Sequence, residues 1–285
     1  MAAPVTEGFA GFLDELVDGG LLVPSGIAGV YGRGEVLERI RLGVERFLAP
    51  SGDYEQLRFP PVIPRRRLEE FGYLQSFPQL AAGIYAFEPA GETDLVLCPA
   101  ACYPVYPAVA ARGALPAGGI AVDAGGAYVF RHEPSPDPAR MQMFHQRELV
   151  RIGEPAPVRA WRDEWSERGL ELLRSLGLDA QREVASDPFF GHGGRLLAAS
   201  QREQGLKLEI VVPIAGAEPT AVASFNYHQD HFGAACGIET ADGDVAHTAC
   251  VGFGEERIAL ALLRAHGLDP ETWPAEVSGL LWPSS

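Results

Sequence analysis

Two strand-like segments joined by a proline-rich turn constrain the fold of this chain most strongly. The first segment ends with Phe130 to Glu133, the turn runs from Pro134 to Pro138, and the second segment extends from Met143 to Val150. Because successive side chains of a strand point to opposite faces, Arg131 and Glu133 are predicted to share one face. On the second strand the same rule predicts a face that carries Phe144, Gln146 and Glu148. The region is therefore predicted to be an antiparallel hairpin, one face of which carries charged side chains and an aromatic ring and forms the wall of a pocket.

The side chains of this wall have the chemistry that binds a nucleotide. A guanidinium such as that of Arg131 can clamp a phosphate through paired hydrogen bonds. A carboxylate can accept a hydrogen bond from an exocyclic amine, and the ring of Phe144 can stack on a purine. Lys207 is the only lysine of the chain and follows no glycine-rich loop, which excludes a phosphate loop of the Gly-Lys-Ser/Thr type. We therefore expect a nucleotide site that is built on strands.

Further strand and helix signals predict the fold class. The first 50 residues predict two helices, the second of which has apolar residues at helical spacing and ends before Pro50. A third helix is predicted over residues 158–176 from its tryptophans and leucines. Strands are predicted at residues 57–63, 95–98, 120–122, 206–214, 222–228 and 249–251, besides the hairpin. Runs of strands with helices mostly outside them indicate an α+β fold, an antiparallel sheet flanked by helices on one side.

Length, composition and charge limit the class of protein. A chain of 285 residues with 47% hydrophobic content can bury a full core, and we favour a single large domain. No apolar run reaches the ~18 residues that span a bilayer. The segment Met1 to Glu7 lacks the basic and apolar regions of a secretory signal, so a cytoplasmic protein is expected. The net charge of −15 argues against broad contact with nucleic acid, whose phosphates it would repel.

The cysteines are few and widely spaced along the chain. Cys98, Cys102, Cys236 and Cys250 are the four. In a reducing compartment such a set indicates free thiols or metal ligands rather than a disulfide framework. A buried cysteine that packs as a small apolar residue is the simpler interpretation for Cys98 and Cys236.

Several segments together resemble the class II aminoacyl-tRNA synthetases. Residues 130–133 with Phe144 resemble motif 2 of that class, residues 252–257 resemble motif 3, and residues 59–63 resemble the proline-centred motif 1 of the dimer interface. Within the class, the chain resembles the amino acid:[carrier protein] ligases most, which are seryl-tRNA synthetase homologues without a tRNA-binding domain. Four further segments carry that resemblance, at residues 102–107, 187–191, 224–233 and 250–254. The resemblance extends from about residue 55 to about residue 268.

The resemblance implies a domain plan and a nucleotide site. Residues 1–50 would form a helical segment packed on the core, and residues 51–285 a synthetase-like catalytic domain that forms a homodimer. Arg131 would hold the α-phosphate of ATP, and Glu133 would bind the adenine amine. Phe144 would stack on the base, and Arg257 would reach the γ-phosphate while flanking the ring.

The same resemblance implies two metal ions. Cys102, Glu148 and Cys250 would bind Zn²⁺, with Cys98 as the alternative to Cys102. Two thiolates and one carboxylate leave a fourth tetrahedral position open, as in catalytic zinc sites, and an α-amino group could fill it. The acid that usually binds magnesium just before the serine-containing strand is replaced here by residues 220–224, Thr-Ala-Val-Ala-Ser. Glu209 is the substitute magnesium ligand that the sequence offers.

The function implied is that of a ligase. ATP would activate a small amino acid, glycine or alanine, as an aminoacyl adenylate, and the phosphopantetheine thiol of a carrier protein would accept it. Two alternatives are a synthetase that charges tRNA and a paralogue reduced to binding. A third is a non-haem iron oxygenase that uses His228 and Asp230, completed by His247 or His231.

A carrier protein is commonly acidic, so an acidic ligase needs a local basic patch to receive it. One candidate patch consists of Arg195, Arg202 and Lys207. The other is the run from Arg65 to Arg67.

Overall fold

The computed structural model describes residues 5–25, 28–30, 33–135, 137–216 and 218–283. Within them the α-helices are α1 (Val5–Asp18), α2 (Gly34–Phe47), α3 (Arg65–Glu70), α4 (Tyr73–Ser76), α5 (Val105–Ala110), α6 (Pro155–Ser175), α7 (Gly191–Glu203), α8 (His231–Cys236), α9 (Glu255–His266) and α10 (Ala275–Leu281). Two 3₁₀ turns lie at Pro78–Leu80 and Pro270–Thr272. In the described part of the chain, no helix has both the length and the apolar composition that a membrane crossing requires.

A seven-stranded sheet forms the centre of the fold. The strands are β1 (Val23–Ser25), β2 (Ala28–Val30), β3 (Glu55–Gln56), β4 (Val62–Pro64), β5 (Gly83–Phe87), β6 (Ala90–Leu97), β7 (Ile120–Phe130), β8 (Met143–Gly153), β9 (Gln181–Val184), β10 (Lys207–Val212), β11 (Thr220–Gln229) and β12 (His247–Gly254). The large sheet has the order β3-β7-β8-β12-β11-β10-β9, and only the β3–β7 pair is parallel. A small sheet β4-β6-β5 and the β1–β2 pair complete the set.

The two faces of the large sheet have different roles, which follow from the alternation of side chains along its strands. On one face Leu149, Val251 and Phe253 pack with apolar residues of α6 and α9 to form the main core. On the opposite face the even-numbered positions of β8 and β12 point toward a cavity. The short helices α5 and α8 cover part of this second face, which the strand pattern alone did not predict.

The N-terminal helices share the main core with the sheet. Phe12 and Leu16 of α1 and Ile40 and Val44 of α2 are fully buried in the same apolar cluster as the residues of α9. The apolar positions of α2 recur at helical spacing, which places them along one stripe that faces α9 and α10. The predicted pair of N-terminal helices is therefore confirmed, with the short β1–β2 pair between them.

Several predicted element boundaries needed correction. The strand predicted at residues 57–63 is wrong, because β3 ends at Gln56 and only Val62 and Ile63 of that range lie in a strand, β4. Prolines at positions 60 and 61 lack the N–H that a continuous ladder requires. The predicted strand position of Arg131 and Glu133 is also wrong, since β7 ends at Phe130. The helix predicted at residues 158–176 is confirmed as α6.

Candidate active site

A cavity of about 330 Å³ lies on the second face of the large sheet. This volume falls in the range of small-molecule sites. Its floor is formed by alternate residues of four adjacent strands, namely Phe144, Gln146 and Glu148 of β8, Cys250, Gly252 and Gly254 of β12, Ser224, Asn226 and His228 of β11, and Lys207 and Glu209 of β10. The predicted face with Phe144, Gln146 and Glu148 is therefore confirmed.

Three potential metal ligands meet at one end of this floor. Ligand atoms of Cys102, Glu148 and Cys250 lie within 4.8 Å of one another, and all three residues are buried. The backbone N–H of Cys102 donates to Glu148 Oε2 at 2.8 Å, and that of Ala101 donates to Gln146 Oε1 at 3.2 Å. Side chains of β8 thus hold the loop that carries Cys102 against the floor.

The donor set of this cluster fits a zinc ion. Burial raises the pKa of the Cys102 thiol and of the Glu148 carboxyl above their ordinary values. Burying these groups as anions is costly without a cation, and a divalent ion among them offsets that cost. Cys98 is also buried, but its Sγ donates to the carbonyl of Ala100 at 3.1 Å, and it is not part of the cluster.

Gly252 keeps the floor open between the cluster and the rest of the cavity. It pairs with Glu148 across the β8–β12 ladder. A Cβ at this position would lie 2.5 Å from Gln146 Nε2 and 3.5 Å from Glu148 Oε1. Only glycine therefore fits here without displacing Gln146.

Arg131 lies directly after the end of β7 and lines the cavity. Its backbone N–H donates to the carbonyl of Gln142 at 2.8 Å, which fixes its position across the hairpin. Among the described residues its guanidinium has no ion-pair partner within 4.0 Å. Glu133 is different, because it pairs with Arg140 at 2.9 Å and is not among the residues that line the cavity. Arg131 and Glu133 do not form an ion pair with each other.

Arg257 is a half-buried cation held by carbonyl groups. Its Nε donates to Ala139 O and its Nη1 to Ala221 O, each at 2.9 Å. Burial lowers the pKa of Arg257 to about 10, so it remains a cation at neutral pH. Its guanidinium lies 5.3 Å from the centre of the Phe144 ring. An adenine ring placed between this guanidinium and the Phe144 ring would need about 3.5 Å on each side, or about 7 Å in total. Arg257 would therefore have to move by about 2 Å to admit the adenine.

Lys207 closes the other end of the floor, and its position corrects a prediction. It is only 6% exposed, and its Nζ lies 2.6 Å from Asp187 Oδ1 and 3.0 Å from Glu209 Oε1. It therefore belongs to the cavity and not to a basic docking surface. Asp187 also accepts from Gln201 Nε2 at 2.8 Å, which links the cavity wall to α7.

Glu209 lies in the cavity, opposite Ser224 in the β10–β11 ladder. Directly opposite residues on a sheet have neighbouring side chains. A carboxylate and a hydroxyl are thus side by side near Arg131 and Arg257. Oxygen donors of this kind are those that magnesium prefers.

The residues of the proposed iron site do not converge. His228 is half-buried, with its Nε2 3.5 Å from Cys250 Sγ. The ring of His247 bonds to a tyrosine hydroxyl, and that of His231 to a backbone carbonyl. In the ranges that the structure covers, the cysteine–glutamate cluster is the one metal-binding group of three, so Asp230 forms no triad with these histidines.

The sequence did not predict that Asp187, Asn226 and Lys207 line the cavity. The position of Asn226 follows from strand alternation, because it is two residues from Ser224 and two from His228, which line the cavity too. The burial of Lys207 could not be predicted, because a lysine is rarely buried and no sequence signal marks Asp187 as its partner.

Comparisons with solved structures define the class of fold. The chain matches the seryl-tRNA synthetase of M. kandleri, solved in complex with A. aeolicus tRNASec, with a TM-score of 0.81 at 21% identity. That match covers 95% of this chain and 60% of the synthetase chain. The cytoplasmic serine-tRNA ligase of Naegleria fowleri, solved with AMP, matches with a TM-score of 0.73 at 16% identity over 96% of this chain and 59% of that one. The fold is that of the class II aminoacyl-tRNA synthetases.

Sequence comparison then gives the family. The chain is 44% identical to Amino acid--[acyl-carrier-protein] ligase 1 of Bradyrhizobium diazoefficiens, over 94% of this chain and 89% of that protein. It is 31% identical to the type-2 serine--tRNA ligase of Methanopyrus kandleri over 48% of this chain and 28% of that enzyme. No family model matches the chain. The chain belongs to the amino acid--[acyl-carrier-protein] ligase family, and it is a ligase.

Proposed function

We propose that the chain uses ATP to activate a small amino acid as an aminoacyl adenylate and transfers it to the phosphopantetheine thiol of a carrier protein. The names of two relatives from Bradyrhizobium diazoefficiens state an amino acid and an acyl-carrier protein as the substrates, which supports these two classes of substrate. The observation that carries the proposal is the presence of two cations, Arg131 and Arg257, in the same cavity as the Cys102, Glu148 and Cys250 cluster.

The two arginines are suited to the triphosphate. Arg257 is half-buried, and its guanidinium donates to two backbone carbonyls but forms no ion pair in the described part of the chain, so an anion would gain a full charge interaction there. Arg131 lines the same space and would hold the α-phosphate, where charge builds up during attack by the amino acid carboxylate. Phe144 supplies the stacking surface for adenine. The proposed contact between Glu133 and the adenine amine requires its ion pair with Arg140 to open.

The cysteine–glutamate cluster would bind the amino acid through a metal. Cys102, Glu148 and Cys250 would hold zinc, which supplies an open coordination position for an α-amino group. Fixing both reactants in one cavity accounts for much of the catalysis, because it removes the entropy cost of bringing them together. Glu209 with Ser224 would bind magnesium at the phosphates, provided that Lys207 releases its 3.0 Å contact with Glu209.

The acceptor is proposed from the names of the relatives, and the assembly from the motif 1 resemblance. The amino acid passes as a thioester to the carrier, and the phosphopantetheine thiol displaces AMP from the adenylate. Glycine and alanine are the proposed substrates. We propose a cytoplasmic homodimer, as the motif 1 resemblance at Phe59 to Ile63 implies, with residues 1–50 packed on a catalytic domain of residues 51–285.

The first test is ATP–pyrophosphate exchange with glycine, alanine and serine, which needs no carrier. We expect exchange with at least one small amino acid, and its loss in Arg131→Ala. Arg66→Ala is the control, because that arginine is exposed on α3, away from the cavity. No exchange with any amino acid, or an active Arg131→Ala, would contradict the activation step.

The second test identifies the acceptor. The enzyme is incubated with ATP, mixed amino acids and either a phosphopantetheinylated carrier protein or total tRNA. Mass spectrometry should find an aminoacyl thioester on the carrier and no aminoacylated tRNA. Charging of tRNA with no carrier product would favour the synthetase alternative instead.

A further inference from the structure

The first turn of α9 sends three consecutive side chains in three directions. Glu255 points to α2, Glu256 to β8, and Arg257 to the cavity. Glu256 accepts from the backbone N–H of His145 at 2.8 Å and contacts the Nδ1 of the same residue at 2.6 Å. The position of Arg257 therefore depends on the contacts that fix Glu255 and Glu256.

Arg41 of α2 holds Glu255. Arg41 Nη1 donates to Glu255 Oε2 at 2.6 Å, while its Nε and Nη2 donate to the two carboxylate oxygens of Glu38 at 2.8 and 2.6 Å. A guanidinium can bridge two carboxylates in this way because its donors are fixed in a plane. The fork of Arg41 thus joins an N-terminal helix to the turn that carries Arg257.

Glu255 depends on this single cation. The residue is 0% exposed, and its second oxygen, Oε1, has no hydrogen-bond partner. An ionised carboxylate in such a place is strongly disfavoured unless a positive group lies beside it. Without Arg41 the charged carboxylate would have to leave its buried position, and the first turn of α9 would move with it.

We propose that Arg41 is a positioning residue for the reaction, and that through Glu255 it holds the first turn of α9 so that Arg257 faces the cavity. This inference rests on the proposed role of Arg257 in binding ATP. It assigns to the N-terminal segment a part in the active site, although Arg41 does not line the cavity itself.

If Arg41 acts through Glu255, the KM for ATP depends on pH in variants of Arg41, which a purely structural role would not produce. Burial raises the pKa of Glu255 to about 7, with Glu45 and Glu256 adding to the effect and Arg41 opposing it. Removing Arg41 would raise that pKa further, so the carboxyl would stay protonated at lower pH and ionise, unpaired, at higher pH. The charged and titratable groups that face this point are Glu38, Arg41 and Glu45 of α2, Glu256 of α9, Asp123 and Tyr128 of β7, and His145 and Arg147 of β8.

The test compares the KM for ATP in pyrophosphate exchange between about pH 6 and pH 9. In Arg41→Met we expect the KM for ATP to rise roughly tenfold for each pH unit above the pKa of Glu255, relative to the wild type. The double variant Arg41→Met/Glu255→Gln should lose this pH dependence, because its buried group cannot ionise. Arg41→Lys, which keeps the charge but not the fork, should show a smaller increase and serves if Arg41→Met does not fold.

Arg147→Met is the matched control. Arg147 is also buried, pairs with Asp123 and donates to the backbone of α2 at 2.6 Å, but within the described residues no hydrogen bond or ion pair joins its side chain to α9. It should lower stability without a pH-dependent KM. The same pH profile in Arg41→Met and wild type, or in the single and double variants, would overturn the inference. The variant Arg257→Met separates the two proposals. If Arg257→Met remains active, Arg257 does not bind ATP and the proposed function loses that contact. If Arg257→Met is inactive but Arg41→Met behaves as the wild type, only the inference about Arg41 is contradicted.

Discussion

Replacing Gly252 by alanine should disturb the floor of the cavity in a way that can be worked out from distances. The new Cβ would lie 2.5 Å from Gln146 Nε2, where contacts of about 3.5 Å are normal. The amide of Gln146 must therefore move by about 1 Å. Gln146 is only 6% exposed and its Oε1 accepts from the backbone N–H of Ala101, so the movement strains a buried hydrogen bond.

Two costs follow from that movement. Overpacking a tight site costs about 1–3 kcal/mol, and a buried N–H that loses its partner costs about as much again. The N–H at risk is that of Ala101, which donates to Gln146 Oε1 at 3.2 Å. We expect Gly252→Ala to lower the free energy of unfolding by about 2–4 kcal/mol, measured by urea denaturation. Its zinc content should also fall, because the loop that carries Cys102 loses this anchor.

Gly254→Ala is the matched control for this change. It adds the same methyl group to the same strand two residues later, where the nearest atom is Arg257 Cδ at 3.5 Å. An ordinary contact of this kind should change the free energy of unfolding by less than about 1 kcal/mol. If both variants unfold at the same urea concentration, the account of Gly252 is incorrect.

Three further predictions test other parts of the structure. Cys102→Ser should lower the zinc content of the purified protein, measured by atomic absorption, whereas Cys98→Ser should not, since Cys98 lies outside the ligand cluster. The pKa of Glu255 is raised from 4.5 to about 7, so its contribution to stability is present below about pH 4.5 and is lost as the pH rises to about 7. The loss amounts to at most about 3 kcal/mol. Urea unfolding of Glu255→Gln at several pH values should not show this loss. Reversing the charge of the exposed Arg195 and Arg202 should slow thioester formation on the carrier but leave pyrophosphate exchange unchanged.

Strand alternation predicted the geometry of the site where the strands are regular. Phe144, Gln146 and Glu148 share a face as expected, because β8 continues unbroken from Met143 to Gly153. The same rule failed for Glu133, since the strand stops three residues earlier and the chain turns away. A periodic pattern therefore predicts side-chain direction only as far as the hydrogen-bonded ladder extends.

Contacts between distant segments could not be predicted from local pattern. The convergence of Cys102, Glu148 and Cys250 depends on a loop that packs against two strands, and the choice of Cys102 over Cys98 came from family resemblance. Lys207 was predicted to belong to a basic surface patch, but its ammonium group pairs with Asp187, which lies twenty residues earlier, and with Glu209 on the same strand. Burial of a charged group is a property of the tertiary structure.

The position of Lys207 has a consequence for an enzyme that makes an activated acyl group. A mixed anhydride such as an aminoacyl adenylate reacts readily with uncharged amines, and in a protein these are mainly lysine side chains. This chain has one lysine, and two carboxylates hold its ammonium group in place. The side chains of this protein therefore offer no uncharged amine to the proposed adenylate, which limits acylation of the enzyme by its own intermediate.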